Sequence, residues 1–355
     1  LVGCADSDGK LYEWQLDTGT DAAQITNAPT GCNGLVVTAE RSLMALGASS
    51  NPRLCKWSDL EDNTVWSPSS TNKAGDFELQ TSGSIQCARR LPDQTLILTD
   101  LDAWVAQYIG GVFVYSFRKV GSDCGAMSRG CICLAGPLAV WWGQGGFWAY
   151  DGAIRPISCD VLEYVLGNLN MAQRTKVTAF HNVKYNEVWW FYPSSASTEC
   201  DSYVVWKYPT ATDPIGTWNI GTLGRTCGVE QGVFTYPILL DEDGAAYDHE
   251  RGSSYGSAEP YFTAGPVELG NGDAVMQATK LIPDEATAGT CTVNFRKRQY
   301  PNATETVSSD ITLDSTGVAD VRFTARQVEL QVTFDADSSA RWGAPRLEVA
   351  ARGRR

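Results

Sequence analysis

The sequence predicts an all-β protein: a β-propeller of about six blades over residues 1–256, then an antiparallel β-sandwich over residues 257–355. Three observations lead there. Short apolar runs alternate with Gly, Asp and Ser every few residues. Convincing helical periodicity is nearly absent. Strand-turn-strand units recur at a spacing of about 40 residues, as expected for radially repeated blades.

The pattern is clearest across residues 95–158, where the runs 96–99, 103–108, 112–117, 131–135, 138–142, 146–150 and 153–157 have strand length and composition. Gly145-Gly146 and Asp151-Gly152 fall where tight turns would join them. Upstream, residues 1–27 give LVGCA and KLYEWQL around Asp6-Ser7-Asp8-Gly9, and residues 35–68 give LVVTA, SLMALGA, RLCKWS and TVWSP. A third unit spans 77–120, a fourth 124–158, a fifth 176–219 and a sixth 226–251, with the outer units candidates to share one blade. One helix is expected, over 159–170: Val161, Leu162, Val165 and Leu169 form its stripe, Asp160 lies near its N-terminus, and Gly167 weakens its end.

From about residue 257 the alternation lengthens. PYFTAGPVEL, AVMQATKLIP, GTCTVNFRKRQ, TETVSSDITL, GVADVRFTA, RQVELQVTF and APRLEVAAR predict seven strands. In the sixth of these, Gln327, Glu329, Gln331 and Thr333 alternate with Val328, Leu330, Val332 and Phe334, the pattern of a strand buried on one face. Seven strands in about 95 residues fit a sandwich.

A chain of 355 residues can bury a large core in two domains. It begins at Leu1 instead of Met, so we expect sequence upstream, and its start does not read as a signal peptide. No apolar run reaches transmembrane length, so no membrane partner is expected. The net charge of −13 argues against a grip on nucleic acid through phosphates. It serves solubility, or a passage through which DNA slides without sticking. The basic Arg-Gly-Arg-Arg end is a solvated terminus or a contact with an acidic neighbour.

Eleven Cys and two His, His181 and His249, offer no grouped metal ligands, and no CxxC pair occurs. Cys131-Ile132-Cys133 is too tight for a disulfide within one strand, and Cys55, Cys87 and Cys133 sit in apolar runs. They read as small buried hydrophobes of a chain folding in a reducing cytosol. No metal and no cofactor is expected.

Three carboxylate groupings are the candidates for chemistry. Asp100 and Asp102 flank a leucine in a turn, where Asp serves the turn. Glu187 precedes Trp189-Trp190, and Glu199 and Asp201 follow in the next loop; a glycosidase needs paired carboxylates beside aromatic platforms. In Asp248-His249-Glu250, neighbouring side chains of a strand point to opposite faces, so a turn histidine is the simpler reading. Trp141-Trp142 and Trp189-Trp190 each place one ring on either face of a strand, one between blades and the other toward a neighbour or solvent; core packing is the default reading and a sugar platform the lesser one. No GxSxG, HExxH or phosphate-cradling glycine loop is present. No catalytic residue is therefore assigned.

The segments AERSLMALGA, KWSDLEDNTVWSP, LILTDLDAWVAQYIG, GGFWAYDGAIRPISCDV, EVWWFYPS, TECDSYVVW, AYDHERG and RWGAPRLEVAARGRR occur in this order and span almost the whole chain. Together they resemble a virion protein of tailed bacteriophages, the podovirus-type tail hub or nozzle, akin to the packaged-DNA-stabilising tail factor. The resemblance implies a structural virion protein, not an enzyme, assembled in the host cytoplasm into the tail. It implies a homo-hexameric ring around the DNA channel, below the portal and adaptor ring proteins, with tail fibres or spikes nearby. Such a ring would retain packaged double-stranded DNA and form the ejection conduit, without sequence-specific binding. Two other readings remain: a carbohydrate-binding or glycoside-hydrolysing propeller using Glu187, Trp189, Trp190 and Asp201, and a generic propeller scaffold for protein partners. The loops 67–74, 194–201 and 210–215 are the places to expect partner contacts.

Overall fold

The computed structural model describes residues 1–355 except 212–213, 215, 233, 256–257, 269–272, 284–290, 314–315, 336–341 and 354–355. It divides into two compact units, Leu1–Glu250 and Arg251–Arg355. The division falls a few residues before the boundary expected at 256/257, which lies outside the described residues.

The first unit is a β-propeller built from six antiparallel meanders. The first sheet holds β1 (Val2–Cys4), β2 (Leu11–Glu13) and β3 (Ala23–Gln24). The second holds β4 (Gly34–Val37), β5 (Leu43–Leu46), β6 (Leu54–Trp57) and β7 (Gly75–Glu78). The third holds β8 (Ile85–Arg90), β9 (Thr95–Thr99), β10 (Asp102–Gly110) and β11 (Val114–Ser122). The fourth holds β12 (Ile132–Ala135), β13 (Leu138–Gly143), β14 (Gly146–Tyr150) and β15 (Ile154–Ile157). The fifth holds β16 (Thr178–Asn182), β17 (Glu187–Tyr192), β18 (Ser202–Lys207) and β19 (Thr217–Thr222). The sixth holds β20 (Cys227–Val229), β21 (Ile238–Leu240) and β22 (Ala246–Asp248). The two outer meanders remain separate three-stranded sheets and do not share a blade.

Blade packing decides burial. A blade inside the ring has a neighbour on each face, so its middle strands are apolar on both sides, unlike those of a sheet with one wet face. Every residue of β9 is buried, and Trp141 and Trp142 on β13 are both fully buried. Core packing, the default reading of this pair, is what the structure has; neither ring reaches solvent. Their neighbours form an aromatic chain across the fourth and fifth sheets. Phe147 lies 5.1 Å from Trp142 and 4.7 Å from Trp190, and Trp218 lies 6.0 Å from Trp206. Trp141 Nε1 donates to the Cys124 carbonyl at 2.8 Å and Trp190 Nε1 to the Cys131 carbonyl at 2.8 Å, which removes the cost of burying the indole N–H.

The helix α1 is shorter than expected, Leu162–Asn168, and a 3₁₀ turn, Met171–Lys176, follows it. Its N-cap is Val161 with no side-chain cap, so Asp160 does not cap it. The apolar stripe is real: Val165 and Leu169 are buried, with Leu162 packed beside them. The run expected as a strand over 112–117 begins only at Val114; Val112 and Phe113 form the tip of the β10–β11 hairpin.

All eleven cysteines are free. Eight are buried, and burial pushes their thiols up, to about 12 for Cys55 and Cys200. Inert thiols filling apolar space match the sequence reading.

The second unit is a β-sandwich. Its strands are β23 (Tyr261–Glu268), β24 (Met276–Ile282), β25 (Cys291–Arg298), β26 (Thr306–Val307), β27 (Ile311–Thr312), β28 (Ala319–Ala325), β29 (Gln327–Phe334) and β30 (Arg346–Ala351). One sheet runs β23-β29-β25-β26, with β27 also on β25; the other runs β28-β24-β30. The segment TETVSSDITL, expected as one strand, breaks into β26 and β27, both paired to β25. Val328, Leu330 and Val332 on β29 are buried against Met276, Val321 and Phe323, as the alternation predicted.

Gly125 tests this packing. The segment around it crosses the Asp100–Leu101 turn, with Cys124 N donating to Leu101 O at 3.1 Å and Ala126 N to Thr99 O at 2.8 Å. A Cβ on Gly125 would collide with the backbone of Asp100 and Leu101. We expect Gly125→Ala to destabilise by about 1–3 kcal/mol, whereas Gly167→Ala, where a Cβ meets open space in α1, should gain about 0.5 kcal/mol. Urea denaturation of the two variants checks both signs.

Candidate functional site

The first strands of the blades lie side by side: β1 touches β4, β4 touches β8, β12 touches β16, and β16 touches β20. Polar contacts stitch each blade to the next. Cys32 N donates to Gly9 O at 2.8 Å between the first blade and the start of the second. Thr38 Oγ1 meets the Tyr115 hydroxyl at 2.8 Å between the second and third. Arg89 donates to the Ile132 carbonyl at 3.1 Å between the third and fourth. Ala179 N donates to Gly130 O at 2.7 Å between the fourth and fifth. His181 Nδ1 lies 3.8 Å from Glu230 between the fifth and sixth. Arg129 pairs with Asp6 at 2.7 Å, joining the fourth blade to the first.

The carboxylates singled out from sequence are engaged by the same stitching. Glu187, at the start of β17, accepts from Trp189 Nε1 at 3.0 Å and Asn182 Nδ2 at 3.4 Å. Asn182 Nδ2 also donates to Glu250 at 2.9 Å, so one buried amide bridges two carboxylates. Burial, with Glu250 adding to it, raises the Glu187 carboxyl above its ordinary value. Asp201 stands elsewhere. Its oxygens accept from Ser194 N at 2.8 Å and Ser194 Oγ at 2.7 Å, closing the 194–201 loop. Glu187 pairs with Lys207, and Tyr192, five residues along β17, pairs with Ser202. At ~3.3 Å per residue the two acids are therefore ~17 Å apart, against the roughly 5–9.5 Å of glycosidase pairs. The structure does not bring Glu187 and Asp201 into one site.

The tryptophans divide similarly. Trp190 is fully buried, while Trp189 is half-buried and packs on Tyr203 at 4.6 Å. Asp100 accepts from Ser84 N at 2.7 Å, and Asp102 is buried between Thr81 Oγ1 at 2.5 Å and Lys119 Nζ at 2.8 Å, so both serve the fold. In the Asp248-His249-Glu250 run, Glu250 turns to Asn182 and His249 accepts from Arg225 Nε at 2.9 Å, so no triad forms. Glu199 pairs with Lys176. Among the described residues, no group of three His, Cys, Asp or Glu is placed to hold a metal ion. Among them, too, no helix is long and apolar enough to cross a membrane.

Sequence reasoning missed two features. The Asn182 bridge joins residues 68 positions apart, and no local signal points to it. The hairpin tip at Gly110-Gly111 did carry a signal, a glycine pair inside an apolar run. Of the loops expected to meet partners, part of 210–215 lies outside the described residues, as do Arg354 and Arg355 of the basic end.

No family model matches the chain, and no curated protein matches it. Several solved structures resemble it distantly. The CNH domain of AfRom2 is 9% identical, with 92% of this chain and 88% of that chain covered and a TM-score of 0.39. The dihydro-heme d1 dehydrogenase NirN in complex with DHE is 9% identical, with 92% and 64% covered and a TM-score of 0.40. The Bacteroides ovatus xyloglucan-locus protein GH43B is 9% identical, with 96% and 84% covered and a TM-score of 0.27. Likeness at this level bears on neither activity nor partner.

Two titrations test the stitching. Burial, then Arg225, push His249 down from 6.5 to about 4. The folded ring stays neutral while the unfolded ring takes a proton, so stability present above pH 6.5 declines as the pH falls toward 4. His249→Gln should shrink the drop in urea midpoint between pH 7 and pH 5. The raised Glu187 carboxyl works the other way, since its ionisation costs the folded chain more than the unfolded one. Glu187→Gln keeps an acceptor for Trp189 and should leave the midpoint at pH 7 unchanged or higher.

Proposed function

We propose that the chain is a structural subunit of a bacteriophage tail, a hub or nozzle of the podovirus type that surrounds the DNA channel. In this reading six copies form a ring below the portal and adaptor, near the fibres or spikes. The ring retains packaged DNA and then becomes the path of ejection. The resemblance along the chain names the class. The observation that carries the non-catalytic part is the ~17 Å separation of Glu187 from Asp201, together with the intramolecular donors on both oxygens of Asp201 and on Oε2 of Glu187.

Charge and fold support the same reading. A net charge of −13 repels a phosphate backbone, so DNA passing an acidic lumen slides instead of sticking. Blades tied edge to edge give a stiff body, suited to a part that bears load without changing shape.

Cryo-electron microscopy of particles from a phage carrying this chain tests the proposal. We expect six copies in the tail with acidic side chains toward the channel, and particles lacking the chain should lose packaged DNA. A chain absent from the particle, or a glycan-array signal abolished by Glu187→Gln, overturns it.

A further inference from the structure

The two units carry a knob and a slot. The knob is the β10–β11 hairpin tip, where Ile109, Val112 and Phe113 are 57%, 92% and 78% exposed. Gly110 and Gly111 turn the chain there at φ +67 and +66, a left-handed bend that glycine adopts without strain. The hairpin is braced beneath: Tyr115 packs on Tyr108 at 5.6 Å, and its hydroxyl is held by Thr38 and by Glu40 at 3.1 Å. The apolar tip is thus presented on a fixed stalk. Lys73 sits against it, its Nζ donating to Gly111 O at 3.2 Å.

The slot is an apolar cavity of about 280 Å³ between the sandwich sheets, lined by Val267, Met276, Leu281, Val328, Leu347 and Val349. Its lining includes residues of β23 and β30, which among the described residues are the edge strands of the two sheets. Val267 and Val349 at its mouth are 61% and 36% exposed. A dry apolar cavity of about 150 Å³ accepts a benzene ring, so this one has room for a phenylalanine ring and a valine. Glu268 stands in its lining, opposite in charge to the lysine beside the knob.

We propose that the Val112–Phe113 tip of one copy seats in the sandwich slot of the next. Knob and slot are different patches on different units of one chain, so the contact is heterologous: each copy gives a tip to one neighbour and a slot to the other. Contacts of that kind run head to tail and close into a ring when the rotation per copy permits. The closed six-membered outcome rests on the tail-ring reading above; the pairing of tip and slot does not.

Sedimentation of the full chain and two variants tests it. Phe113→Asp removes the knob and Val349→Trp fills the slot, and each should weaken self-association at least tenfold with an unchanged melting temperature. Mixed one to one, the variants still own one good knob and one good slot, so they should form heterodimers that grow no further. Should Val349→Trp fail to fold, charge exchange replaces it: Lys73→Glu and Glu268→Lys each weaken association, and the double variant restores it. Phe113→Asp assembling like the parent, or a mixture of folded variants staying monomeric, overturns the knob and slot while leaving the ring reading in place. A parent chain that stays monomeric at all concentrations overturns both.

Discussion

Each meander in the propeller is too narrow to hide its own apolar faces, and the rest of the first unit follows from that constraint. Three or four short strands are about the smallest sheet that stands in water, and only when an apolar face is covered. Buried between two others, the same sheet loses both wet faces at once. That is why β9 is buried at every position and why the β13 tryptophans have no outward side. It also explains why polar contacts concentrate between blades: Thr38 with Tyr115, Arg89 with Ile132, Asn182 with Glu250. A buried polar group is costly without a partner, and for these the partner belongs to the adjacent sheet.

The same constraint sets what could be read from sequence. The order of the meanders was legible, because period-two runs cut by glycine and aspartate are local signals that tertiary packing does not erase. Orientation was less so. For Trp141-Trp142 the alternative of a ring facing solvent assumed a sheet with one wet face, and a blade has none. Asp160 looked like a cap, but the chain enters α1 through Val161. Val112 and Phe113 have every property of a strand interior, and only the glycine pair before them marks the turn. In the second unit, β29 was legible to the residue because one of its faces is wet and the other is core.

The candidate site was legible in composition and illegible in geometry. Carboxylates beside tryptophans could be found by inspection around residue 190, yet their separation depends on where β17 begins and ends. Glu187 and Asp201 are fourteen positions apart in sequence and sit at opposite ends of one hairpin. Glu250 is much farther along the chain and is the acid that shares the Asn182 amide with Glu187. Proximity in sequence misled, and the packing of the fifth sheet beside the sixth chose the partner.

Shifted titrations in this protein are consequences of packing. Catalytic sites also shift the titration of their groups, so a displaced carboxyl or imidazole invites an enzymatic reading. What separates the two cases is the state of the remaining lone pairs. A working acid or base keeps one open toward its substrate. Glu187 takes both its hydrogen bonds, from Trp189 and Asn182, on Oε2, and the Nε2 lone pair of His249 is filled by Arg225. In both, burial is the largest cause of the shift. The groups are displaced because they are partly buried, and the hydrogen bonds each accepts tie it to the strands around it.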